Sequence, residues 1–99
     1  MTTIHFHRSG GIVGSVIEFE VNLNELPVDE SQRLTQLISE SDFFNIPDDL
    51  DAQVTPDEFQ YVITVESGQS RHTVHVTDTT MPLNLIPLIK ELTVLQAIH

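Results

Sequence analysis

Hydrophobic and polar positions alternate in four stretches of the chain, and two further stretches carry apolar residues at helical spacing. From Thr2 to Arg8, Ile4 and Phe6 fall on one face and Thr3, His5 and His7 on the other. That period of two is the mark of a half-buried strand. Ser9, Gly10 and Gly11 follow as a turn, glycine being the residue that enters positive φ without steric cost. Alternation resumes from Val13 to Leu23. Val13, Ile17, Phe19, Val21 and Leu23 share one parity, and Val16, Glu18, Glu20 and Asn22 take the other. The first unit reads as a β-hairpin.

Pro27, Asp29 and Glu30 suit the first turn of a helix, where a missing N–H is harmless and negative charge meets the positive end of the helix dipole. Leu34, Leu37 and Ile38, continuing toward Phe44, form a helical stripe, so a helix is expected from about Val28 to Ser41. The segment from Asn45 to Pro56 reads as a loop, longer than most connections. Glu58 to Val65 alternates again, with Phe59, Tyr61, Ile63 and Val65 opposed to Gln60, Val62 and Thr64. Glu66, Ser67, Gly68 and Gln69 make a turn, and Arg71 to Thr77 places His72, Val74 and Val76 on one face. Thr80 is read as an N-cap with Pro82 in the first turn. Leu85, Leu88, Ile89, Leu92 and Leu95 make a second stripe. Pro87 lacks an N–H to donate, so a loose or 3₁₀ turn is expected ahead of a regular helix from near Ile86 to Ala97.

The order is ββαββα. The expected fold is α+β and two-layered: a four-stranded antiparallel sheet with both helices on its apolar face. The opposite face is expected to be solvated and to carry His5, His7, Glu18, Glu20 and His75. At 99 residues the whole chain, 1–99, is read as one domain. From this topology the Ser9 to Gly11 turn, the Asn45 to Pro56 loop and the Thr77 to Met81 connection are expected at one end of the sheet. The Ser67 to Gln69 turn is expected at the other.

Charge narrows the range of partners. Four basic residues face 15 acidic ones, for a formal net charge of −11. A nucleic-acid binder needs a basic stripe to displace counterions, and an anionic membrane would repel this chain. Neither partner is expected. The acidity favours solubility and steering toward a basic protein surface. Cysteine is absent, which removes disulfides, thiol nucleophiles and Cys-ligated zinc. No apolar run is long enough to span a membrane, and the alternating N-terminus does not read as a signal peptide. A cytoplasmic monomer without cofactor is expected.

Three constellations suggest chemistry. His5 and His7 share a strand face and, with His75 or Glu18 from neighbouring strands, form a candidate divalent-metal site. The plain alternative is a polar face turned to water. Asp48, Asp49 and Asp51 fail the calcium-loop pattern, because Gln53 and Phe59 stand where a glycine and a glutamate are needed. Gly10, Gly11 and Gly14 resemble a phosphate cradle only superficially, since a strand follows them rather than a helix. One feature stands apart. Ile12 falls off the core parity, at the tip of the first hairpin, next to bare glycine backbone. Either it is a recognition anchor or it folds down onto a neighbouring loop.

Four segments, in order and at matching spacing, resemble a known family. They are Phe6-His7-Arg8-Ser9-Gly10-Gly11-Ile12-Val13-Gly14, Ser41-Asp42-Phe43-Phe44-Asn45-Ile46-Pro47, Asp57 to Glu66 with Arg71-His72-Thr73-Val74, and Leu85-Ile86-Pro87-Leu88-Ile89. Over nearly its whole length the chain is similar to the emfourins, small bacterial protein inhibitors of thermolysin-like zinc metalloproteases such as protealysin. The resemblance implies a non-enzymatic chain whose partner is such a protease. Joined to the residue reading, it suggests that Ser9, Gly10, Gly11, Ile12, Val13 and Gly14 enter the catalytic cleft, with Ile12 in an apolar subsite. The alternatives are a non-inhibitory interaction module and a His-based metal-binding domain.

Overall fold

The two hairpins form as read and join through their first strands. β1 (Thr2–Gly10) and β2 (Ile17–Asn22) make the first, β3 (Phe59–Ser67) and β4 (Ser70–Thr77) the second. These elements come from a computed structural model that describes residues 2–11, 16–48 and 58–98. β1 pairs antiparallel with both β2 and β3, so the sheet order is β2-β1-β3-β4. Register places Ile4 opposite Val21 and Val65, Phe6 opposite Phe19 and Ile63, and Ile63 opposite Val74. The apolar parity of each strand thereby falls on one face.

Helices α1 (Val28–Ser41) and α2 (Ile86–Ile98) cover that face. Leu34 and Leu37 from α1 and Leu88, Ile89, Leu92 and Leu95 from α2 join Ile4, Phe6, Ile63, Val65, Val74 and Val76 in one buried cluster. Each fully buried aliphatic or aromatic side chain contributes about 1.5–3 kcal/mol relative to exposure. This core fixes the sheet on which the loops stand. Arg33 Nε donates to Glu91 Oε1 at 3.0 Å and ties the helices together at their surface. Among the described residues no helix is long and apolar enough to cross a membrane.

Several expectations are corrected. β2 begins at Ile17, and Val16 is 62% exposed ahead of it. The α1 stripe continues into Phe43, not Phe44. Asp42 takes the left-handed conformation at φ 53° and ends the helix, and this swing buries Phe43 to 1% while Phe44 stays 41% exposed. Thr80 caps no helix. Its hydroxyl accepts the Thr77 N–H at 2.9 Å, and α2 is instead preceded by a 3₁₀ turn, Leu83–Leu85, following Pro82. Pro87 therefore lies in the first turn of α2, where its missing donor costs little.

The segment after α1 does not gather wholly at the glycine-turn end. Its start runs along the outer edge of β4. His72 Nε2 donates to the Ile46 carbonyl at 2.6 Å, and the His75 N–H donates to the Asp48 carbonyl at 2.8 Å. These bonds shield one edge of the sheet. Residues 49–57 of that loop lie outside the described residues.

Candidate functional site

The glycine turn sits at the end of the sheet where β1 finishes, β3 begins and β4 finishes. Gly10 pairs with Phe59, and Gln60 pairs with Thr77. Gly10 and Gly11 have φ of 93° and 78°, values that side-chain-bearing residues rarely adopt. Space is closed to them as well. A Cβ on Gly10 would stand 2.6 Å from the Glu58 carbonyl oxygen, and one on Gly11 would stand 2.7 Å from the Phe59 ring. The Gly11 N–H donates to that same Glu58 carbonyl at 3.0 Å. Two glycines are needed here because the backbone itself packs against its neighbours.

Glu58 and Phe59 are braced in turn by the exit from β4. Glu58 Oε1 accepts the Thr79 N–H at 2.9 Å and also the Thr79 hydroxyl. Asp78 accepts the Phe59 N–H through Oδ2 at 3.1 Å and the Tyr61 hydroxyl through Oδ1 at 2.9 Å. The Asp78 N–H returns a bond to the Phe59 carbonyl at 3.3 Å. The Arg8 guanidinium lies over the Phe59 ring, 4.4 Å from its centroid, a cation–π contact.

Burial, first, and then the bond to Asp78 and its negative charge push the Tyr61 phenol up to about 12, against a smaller lowering by Arg8. Folding therefore favours the neutral phenol. The stability this contributes is whole below the ordinary phenol value of about 10 and is lost as pH rises from there to about 12.

Of the six residues expected at the protease-binding tip, Ser9, Gly10 and Gly11 are described and stand together at this end. Ile12, Val13 and Gly14 lie outside the described residues. Sequence reasoning missed Arg8, Glu58, Phe59, Tyr61, Asp78 and Thr79. One signal was available: Arg8 shares the core parity of Ile4 and Phe6, an odd place for a cation without an aromatic beneath it.

The histidine face resolves differently. His5 Nδ1 lies 2.9 Å from Glu20 and its Nε2 3.8 Å from Glu66, while His7 Nδ1 lies 3.2 Å from Glu18. His75 faces Gln60 at 3.3 Å. His5 thus lies between carboxylates of β2 and β3, while His7 faces Glu18 on β2 and His75 faces Gln60 on β3. Among the described residues no group of three or more His, Cys, Asp or Glu could hold a metal ion.

Together these features define a small two-layer α+β domain that holds a closely packed glycine turn at one end of its sheet. The chain belongs to the Emfourin family, whose pattern matches residues 6–93. Comparison with curated proteins gives no match. Among solved structures it is similar to one described as emfourin (M4in) from Serratia proteamaculans, an M4 family peptidase inhibitor. The identity is 19%, with a TM-score of 0.50, covering 91% of this chain and 87% of the other. At that identity the likeness speaks for the fold alone.

Proposed function

We propose that this chain is a protein inhibitor of thermolysin-like zinc metalloproteases, and that it blocks the catalytic cleft with the tip of its first hairpin. Family membership supports the inhibitor role, and the similar solved protein is described as an inhibitor of an M4 family peptidase. The observation that carries the mechanism is the pinned turn. Gly10 and Gly11 sit at positive φ, too close to Glu58 and Phe59 to admit a Cβ, and the Gly11 N–H is tied to Glu58.

A loop already held in one shape loses little conformational entropy on docking, which favours tight binding. Bare glycine backbone lets the chain approach an enzyme surface closely. Ile12 is the side chain we assign to the apolar subsite following the scissile position, with Ser9 or a neighbouring carbonyl near the enzyme's zinc. A turn held in its own geometry resists cleavage, because a misaligned peptide bond does not reach the transition-state arrangement.

Titrating the chain against thermolysin while following peptide hydrolysis is expected to give a stoichiometric end point that excess zinc leaves unchanged. Undiminished hydrolysis at a large molar excess of the chain would refute the reading. Activity restored by zinc would assign the effect to metal stripping by histidines instead.

A further inference from the structure

We infer that Asp78, 67 positions from Gly11 in sequence, is the positioning residue that holds the glycine turn in its binding shape; the inference rests on the inhibitor reading for its functional half only. The route is short. Gly11 is held by the Glu58 carbonyl and lies against the Phe59 ring. The backbone of Phe59 is held at both its N–H and its carbonyl by Asp78, whose second carboxylate oxygen takes the Tyr61 hydroxyl. The neighbouring Thr79 holds the Glu58 carboxylate. Asp78 is exposed, on the turn that leaves β4. Its two carboxylate oxygens serve two donors that belong to the strand beneath the glycines.

A carboxylate suits this arrangement, because both donors point at it and it has acceptors on both oxygens. Asn at this position could keep both contacts, its oxygen taking the Phe59 N–H and its NH₂ donating to the Tyr61 oxygen, whereas Asp78→Ala removes both acceptors and leaves the Phe59 N–H and the Tyr61 hydroxyl without them. The turn is then free to leave its binding geometry for part of the time. Apparent affinity falls in proportion to the fraction that remains competent.

The test compares Asp78→Ala with the unaltered chain by three readouts. Tyr61 is the chain's one tyrosine and there is no tryptophan, so ultraviolet absorbance during an alkaline titration reports the clamp directly. The phenol of the variant is expected to ionise at lower pH. Amide hydrogen exchange at Gly11 is expected to quicken by about tenfold, while Ile63 and Val65 in the centre of the sheet keep their rates, an uneven response that general destabilisation would not give. Inhibition of thermolysin is expected to weaken by about tenfold, in line with the reduced competent fraction. A phenol that shifts while Gly11 exchange stays unchanged would overturn the inference, whether or not the chain inhibits anything. Faster Gly11 exchange with undiminished inhibition would overturn the link between the clamp and binding. Failure of the unaltered chain to inhibit would sink the proposed function and leave the exchange result to judge the clamp alone.

Discussion

Gly10→Val is expected to weaken inhibition by more than tenfold and to lower the melting temperature by about 10 °C. Two costs combine. A side-chain-bearing residue in the left-handed region costs about 1–2 kcal/mol, and Gly10 is at φ 93°. The added Cβ would also meet the Glu58 carbonyl oxygen at 2.6 Å. That oxygen belongs to backbone and carries the Gly11 N–H bond, so it cannot move aside without releasing the turn. At roughly 4–8 °C per kcal/mol for a domain of this size, the conformational cost alone gives a shift of about 10 °C, and the clash acts in the same direction. Gly11→Val is expected to do less harm, because its Cβ meets the Phe59 ring, a side chain. Gly68 is the control. It also has positive φ, but its Cβ would meet nothing within 4 Å, and asparagine tolerates that conformation. Gly68→Asn is expected to inhibit like the unaltered chain. Enzyme titration well below the melting temperature, beside thermal unfolding, checks all three. Normal inhibition by Gly10→Val would remove the turn from the mechanism.

Ile12→Ala is expected to weaken inhibition by at least tenfold while leaving the melting temperature within a few degrees. Truncating an anchor side chain that fills a pocket typically costs about 2 kcal/mol or more, and tenfold corresponds to about 1.4 kcal/mol. The expectation follows from the sequence pattern, in which Ile12 is off the parity of the core positions. A large fall in melting temperature with little change in inhibition would instead make Ile12 a packing residue folded onto a neighbouring loop.

The elements were legible because each carries its own local signal. Ile4 and Phe6 against His5 and His7 announce β1. Pro27, Asp29 and Glu30 announce the start of α1, which runs from Val28 to Ser41 as read. Leu85 to Leu95 announces α2 and its 3₁₀ approach. Local signals end where one residue's conformation redirects the next. Asp42 at φ 53° exchanged the roles of Phe43 and Phe44, and nothing in hydrophobic period encodes that swing. The edge-hugging path of Ile46 to Asp48 depends on His72 and His75 in a strand far along the chain. The site shows the same limit. Gly10 and Gly11 are visible as a turn in the sequence, but the reason they must be glycine is not. It lies in the pairing of β1 with β3, which brings Glu58 and Phe59 against the turn and Asp78 against Phe59. Alternation assigns a residue to a face. It does not say which strand lies beside which.

The four glycines offer the most direct test of where the chain binds. Gly10 and Gly11 stand at one end of the sheet, joined in sequence by Gly14, and Gly68 stands at the opposite end in the β3–β4 turn. Backbone amide resonances of the labelled chain, followed as thermolysin is added, separate the two ends. The account predicts that Gly10 and Gly11 shift and gain protection from exchange in the complex while Gly68 is unmoved. A complex that perturbs Gly68 and leaves Gly10 and Gly11 as they are in the free chain would contradict it.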